Sequence, residues 1–281
     1  MACSDRITAA ITSDGALFTW GDGTPGNLGY AQAARQFVPR QVAGGLAGQH
    51  ATQVSCGPFH AAAITGAGDL LTWGSGLCGK LGHPSSSYTN VTEPRRVEAL
   101  AGCRVLSVAC GVWHTAAVAG ERHSRFGILH TDEAGAIAKR ANSSDFPVRP
   151  ASSDVDARTE SADLPEPGPA EGGWLFTWGG VFTWTEQQRD KKGAVTAQPD
   201  SNRGCLGLGD TLGRELPTRV NGDMATALVR QVAVGASFTV AITVDGKVYQ
   251  MGATGASGRA KWEGAKSPEL VRMLMCPRAG P

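Results

Sequence analysis

The chain has 281 residues, enough for one sizeable core or two small ones. Only 18% of residues are charged and the formal net charge is +1, which argues against function through a strong electrostatic hold on nucleic acid. Glycine is abundant, with 38 residues, about twice the usual ~7% share, and this suits many short strands joined by tight turns.

Residues 1–54 read as a first repeat. Residues 7–11 and 17–20 are apolar and β-branched and flank Asp14-Gly15, a turn pair that accepts positive φ, so they predict a hairpin. Residues 22–29 carry Gly23, Pro25, Gly26 and Gly29 and predict a loop; an outer strand is expected to begin at 40–42, after Pro39. Residues 55–108 are the cleanest copy and open with SCGPFHAAAITGAGDLLTWGSGLCGKLG. The hairpin turn is predicted at 66–69 and a glycine-rich loop at 74–82. That loop spells G-S-G-L-C-G, a dinucleotide fingerprint in letters alone. The helix such a site needs is missing from the pattern, so no phosphate site is expected.

Residues 109–231 start a third copy as ACGVWHTAAVA and carry insertions at 120–173 and 181–203. The stretch 150–173 is rich in Pro, Ser, Asp and Glu with no apolar period, and predicts disorder. LFTW at 175–178 and VFTW at 181–184 compete for one strand; Trp178 is favoured because Gly179 follows it as glycine does in the other copies. Residues 232–281 form the fourth repeat and a tail, with a hairpin turn at Asp245-Gly246 and Trp262 in the loop beyond. The run 232–244 is too short to cross a membrane, which takes roughly 20 apolar residues, and reads as a core strand. There is no signal-peptide pattern.

The copies agree slot by slot. Trp20, Trp73, Trp178 and Met251 align, and each is followed by a glycine, Gly21, Gly74, Gly179 and Gly252. Ile7, His60, His114 and Phe238 share a second slot; Cys3, Cys56, Cys110 and Val234 share a third. Several independent slots at one period define a repeat architecture. The pattern CG-x-x-H-[TA]-A-A, a turn, then L-[FL]-T-W-G and later L-G resembles the regulator of chromosome condensation repeat, a β-propeller blade. SCGPFH, ACGVWHTAAV and the Tyr-x-Met-Gly of 248–252 resemble in particular the repeats of plant proteins that also carry pleckstrin-homology and FYVE domains. The resemblance covers nearly all of the chain outside the insertions. It implies an all-β propeller fold. With the insertions set aside the copies average about 51 residues, so the chain supplies about four blades, a partial ring against the roughly seven that the resemblance implies.

Candidate chemistry is sparse. A slot that accepts Ile7 and Phe238 is structural, so His60 and His114 are expected to pack rather than react. The seven scattered cysteines show no C-x-x-C and no zinc spacing, and read as reduced, intracellular thiols of a cytoplasmic or nuclear protein. No nucleophile elbow, metal motif or carboxylate pair appears; no enzyme activity and no cofactor are expected. Phe59 and Trp113 precede the two histidines and, with Trp262, are the candidate interaction residues. The function expected is a protein-interaction scaffold. The alternative is guanine-nucleotide exchange on a small GTPase, the activity the resemblance attaches to the family's founding member.

Overall fold

The computed structural model describes residues 1–23, 26–31, 35–84, 89–121, 172–180, 204–252 and 265–271. The predicted disorder of 150–173, the choice of Trp184 and the position of Trp262 lie outside this set, except for the last two residues of the insertion.

Among the described residues, sixteen strands form four antiparallel four-stranded sheets, each built from consecutive strands. The first holds β1 (Ala2–Cys3), β2 (Ile7–Ile11), β3 (Leu17–Asp22) and β4 (Arg35–Gln41). The second holds β5 (Ala51–Cys56), β6 (His60–Thr65), β7 (Leu70–Gly74) and β8 (Val91–Arg96). The third holds β9 (Cys103–Cys110), β10 (His114–Glu121), β11 (Trp174–Gly179) and β12 (Arg214–Arg219). The fourth holds β13 (Val229–Val234), β14 (Phe238–Thr243), β15 (Val248–Gly252) and β16 (Ala265–Leu270). The outer strand expected to begin after Pro39 starts earlier, at Arg35, and runs through the proline.

The sheets stand side by side in chain order. The first strands β1, β5, β9 and β13 touch one another in succession, so the sheets converge on that edge. The converging edge is not left open: the backbone N–H of Val108 donates to Gln53 Oε1 at 3.2 Å, and that of Cys110 to Ser55 Oγ at 2.9 Å. The diverging edges are fourth strands, and every one carries a proline, Pro39, Pro94, Pro217 and Pro268. Proline removes a donor, which suits a free edge and discourages further pairing.

Three apolar clusters fill the three junctions between neighbouring sheets. In the second sheet Ala62, Ile64 and Leu70 pack forward against the third, while Ala61, Ala63, Leu71 and Trp73 pack back against the first. Both sides of β6 are therefore covered, and all six of its residues are buried. This explains why the second strands are so rich in alanine, a weak strand former: two sheets approach from both sides and leave little room for side chains. The Trp slot anchors each junction. Trp73 and Trp178 are fully buried, as is Met251, which takes the slot in the last sheet.

Candidate interaction surface

The loop after each third strand clips one sheet to the next. In the second sheet Thr72 Oγ1 donates to Leu81 O at 2.6 Å, and Thr19 to Leu28 O and Thr177 to Leu206 O repeat the bond at 2.6 and 2.7 Å. The carbonyl just before each of these leucines points into the following sheet. Asn27 O accepts from Trp73 Nε1, and Lys80 O accepts from Trp178 Nε1, both at 2.9 Å. The loop sequence x-Leu-Gly is thus a junction device.

His60 and His114 belong to the same network. His60 Nε2 lies 2.7 Å from Thr115 Oγ1, and Thr115 donates onward to Lys80 O at 2.7 Å. His114 Nε2 lies 2.8 Å from Thr239 Oγ1, which donates to Cys205 O at 2.8 Å. Because each threonine spends its proton on a carbonyl, each histidine must donate from Nε2. Both rings are fully buried, and among the described residues both Nδ1 atoms lack a hydrogen-bond partner. Burial holds His114 down to about 4. Burial holds His60 well below its ordinary value too, reinforced by the Lys80 ammonium and by His114. Neutral, buried rings bonded to hydroxyls cross-link the sheets. Among the described residues no group of three or more His, Cys, Asp or Glu side chains is placed to hold a metal.

Phe59 and Trp113 stand one residue before these histidines, at the end of the sheets where the first strand turns into the second. Their rings meet, with centroids 5.8 Å apart at an interplanar angle of 35°. Both are half-buried. A cation flanks each end of the pair: the Arg6 guanidinium lies 5.3 Å from the Phe59 centroid and Lys80 Nζ 5.7 Å from that of Trp113. Arg6 holds the matching slot of the first sheet, is exposed, and approaches Asp22 Oδ2 at 3.5 Å. Lys80 is fully buried; its ammonium donates to Leu77 O at 2.8 Å and to Ser75 Oγ at 3.3 Å. The result is a row of three equivalent positions, Arg6, Phe59 and Trp113, running across three sheets near the edge on which they converge. The third candidate, Trp262, lies outside the described residues.

At the opposite end, a concavity of about 770 Å³ opens beside the first strands and is lined by Thr52, Gln53, Arg104, Ser107, Arg230 and Gln231 among others. Among the described residues its lining holds no cysteine, histidine or carboxylate.

The regulator of chromosome condensation (RCC1) repeat matches residues 14–64, 67–118 and 200–242, more than half of the chain, and a second description of the same repeat matches 51–80. The chain belongs to the RCC1 repeat family. It is 29% identical over 276 residues to the human E3 ubiquitin-protein ligase HERC2, covering 96% of this chain and 5% of that protein. It is 28% identical to the mitochondrial RCC1 domain-containing protein RUG3 of Arabidopsis thaliana, covering 95% of this chain and 56% of the relative. The crystal structure of human WBSCR16 superposes with a TM-score of 0.62 at 18% identity, over 97% of this chain and 52% of that one. The chain thus spans about half the length of the plant relative and a small part of the human ligase. The four sheets are RCC1-type propeller blades.

Within the RCC1 repeat, glycine after tryptophan has a steric cause. Gly74 adopts φ +108°, and a Cβ there would lie 2.6 Å from Phe59 O. The third strand therefore leaves the blade pressed against the start of the second, and this contact holds Phe59 at the blade end. Sequence reading gives no reason to single out Lys80, because lysine in a glycine-rich loop ordinarily faces water. The only signal is its place just before Leu81, in the slot of Asn27 and Cys205.

Proposed function

We propose that this chain is a protein-interaction module whose docking surface is the blade-end row of Arg6, Phe59 and Trp113. The half-exposed Phe59–Trp113 pair carries the reading. Arginine, tryptophan and other large aromatic rings are the side chains that concentrate binding energy at protein interfaces. Here they are mounted on hydrogen-bonded strand ends, so little ordering cost accompanies binding. The histidines beside them are committed to threonine hydroxyls, which favours recognition over catalysis at this rim. The resemblance of SCGPFH and ACGVWHTAAV to repeats joined to pleckstrin-homology and FYVE domains supports a place for such a module beside other domains.

The test is affinity capture with the chain and with a Phe59→Ala/Trp113→Ala variant of unchanged melting temperature. The expected result is a protein retained by the first and lost by the second. Equal recovery by both overturns the assignment of the surface. Release of a fluorescent GDP analogue from small GTPases, measured with the same preparations, tests the exchange alternative; acceleration by the chain would replace scaffolding with exchange as the function.

A further inference from the structure

The concavity at the end of the blades away from Phe59 and Trp113 is shaped by one slot of the first strands. Gln53, Ser107 and Gln231 hold that slot in the second, third and fourth blades, each just before a valine. In the second blade the slot is closed, because Gln53 Oε1 reaches across and accepts from the backbone N–H of Val108 at 3.2 Å. In the third blade the shorter serine makes no such bond. Ser107 lines the concavity and is 4% exposed, and among the described residues its buried Oγ has no hydrogen-bond partner. A buried hydroxyl left without a bond is unfavourable. Serine has a single side-chain torsion, so a change of rotamer brings the hydroxyl to a ligand in the concavity without moving the strand.

Two exposed arginines share the lining with Ser107. Arg104 comes from the same strand. The backbone N–H of Val105 donates to Gly68 O at 2.9 Å, and a Cβ at Gly68 would lie 2.6 Å from Arg104 Cγ, so the hairpin turn of the second blade holds the arginine stem at the mouth. Arg230 comes from the fourth blade, at a break in register. β5, β9 and β13 each leave one residue unpaired against the second strand of the blade, and these residues are Thr52, Leu106 and Arg230. A bulge re-aims its extra residue, and of the three only Arg230 is a cation. Gln53 spends its carbonyl oxygen on Val108, so its amide offers a ligand only N–H donors. Thr52 adds no donor, because its hydroxyl donates to Ile64 O at 3.2 Å.

We infer that this concavity binds the phosphoryl group of a phosphate monoester, with Arg104, Arg230 and the Ser107 hydroxyl as its donors and the Gln53 amide beside them. A phosphoryl group carries about −1.5 to −2 charges at neutral pH on three acceptor oxygens. It can engage two guanidinium forks and still receive a hydroxyl, whereas one bidentate fork already occupies both oxygens of a carboxylate. No carboxylate in the described lining competes for either cation. The same chemistry serves a phosphorylated protein side chain and a free phosphate ester. The site is built on the first strands of three consecutive blades and shares no residue with the row of Arg6, Phe59 and Trp113, so it stands or falls independently of that surface.

The experiment is titration calorimetry of the 281-residue chain at neutral pH and constant ionic strength. The probes are inorganic phosphate, a short phosphoserine peptide and the same peptide with glutamate in place of phosphoserine. Both phosphate probes are expected to bind, and the glutamate peptide at least about tenfold more weakly. Tighter binding of the phosphopeptide than of inorganic phosphate supports the site and assigns it to phosphorylated protein; equal binding supports it and assigns it to a small phosphate ester. Arg104→Gln and Arg230→Gln are each expected to weaken phosphate binding about tenfold, and Ser107→Ala about threefold to fivefold. Ser107→Gln copies the second blade, fills the slot and is expected to abolish binding. Should that variant fail to fold, Arg230→Gln keeps the test decisive, because it changes an exposed side chain. Absence of binding by both phosphate probes overturns the inference, as does binding unchanged in Arg104→Gln/Arg230→Gln. A glutamate peptide held as tightly as the phosphopeptide also overturns it, because the site would then read charge and not the phosphoryl group.

Discussion

His60 of the second blade donates through Nε2 to the hydroxyl of Thr115 of the third at 2.7 Å, while the same positions at the preceding junction are held by Ile7 and Ala61. The two pairs solve one packing problem in two ways. A histidine needs an acceptor across the junction; an isoleucine needs none and meets a methyl group. Thr115→Val alone should therefore strand a buried N–H and cost about 1–3 kcal/mol. His60→Ile/Thr115→Ala should be milder than the two single changes summed, because it installs the apolar pair of the first junction. Lys80 O keeps its bond from Trp178 in that variant. A double-mutant cycle by urea unfolding measures the coupling; additivity of the single changes would show that the pair does not act as a unit.

The buried histidines also set an acid limit. In the unfolded chain each imidazole takes a proton near its ordinary value of 6.5, whereas the folded chain holds buried His114 and His83 down to about 4. Burial is the first cause for both, with Arg95 contributing at His83. Between these values the unfolded state binds more protons, so stability falls as pH drops from 6.5 towards 4 and is whole above that range. The loss from His114 alone is on the order of 3 kcal/mol. Asp245, held at about 2 by its bonds to Lys247 and Thr243, adds a separate loss only below the ordinary carboxylate range. Urea midpoints at pH 7.5, 5.5 and 4.5 should fall steadily, and His114→Ile/Thr239→Ala should flatten the slope. A slope untouched by that change would place the acid sensitivity elsewhere.

How legible this was in the sequence depends on whether an interaction repeats with the chain or crosses it. Trp73-Gly74 and the Leu81-Gly82 pair recur at fixed spacing, so blades, hairpins and junction tryptophans can be read directly. The bond from His60 to Thr115 joins residues 55 apart in different blades. It follows only once the sheets are known to stand side by side in register. The contact of Phe59 with Trp113 was half legible: the two share a slot, and neighbouring blades bring like slots together. Lys80 was not legible, because its burial depends on the loop folding back over its own ammonium through Leu77 O and Ser75 Oγ. The first strands were obscured for a similar reason. In the third blade the edge of β9 is satisfied by the Gln53 and Ser55 side chains of the preceding blade, so its sequence follows the neighbour and not a hairpin partner alone.

The cysteine slot predicts an order of reactivity. Cys3 is exposed, while Cys56 is half-buried and Cys110 buried. Burial pushes the Cys56 thiol up to about 12, helped by Cys3 nearby, and pushes Cys110 up as well. Because the thiolate is the nucleophile, Cys56 and Cys110 should alkylate roughly a hundredfold more slowly than Cys3 at pH 8. Peptide mass mapping after timed iodoacetamide treatment reads the order. Equal labelling of all three would mean that the junctions of the second blade with the first and with the third both open readily in the native state.

Gly82 offers the sharpest separation of backbone strain from blade packing. It adopts φ +74°, and a Cβ there would lie 2.9 Å from Trp178 Nε1 and 3.3 Å from Pro217 Cδ, both in the next blade. Gly82→Ala must therefore carry a left-handed backbone, at about 1–2 kcal/mol, and also displace an indole whose Nε1 bonds Lys80 O at 2.9 Å. Gly246 has a similar φ of +81° but open space around it, so Gly246→Ala carries the backbone cost alone. The predicted order is a loss of about 1 kcal/mol at Gly246 and about 2–4 kcal/mol at Gly82. Trp178→Met, which copies the last blade, should partly relieve Gly82→Ala, because a flexible thioether can yield where an indole cannot. Unfolding of the two single variants and the Gly82→Ala/Trp178→Met double reads all three. Equal losses at Gly82 and Gly246 would mean that the indole shifts at no cost, and that the Leu-Gly clip does not hold the blades in register.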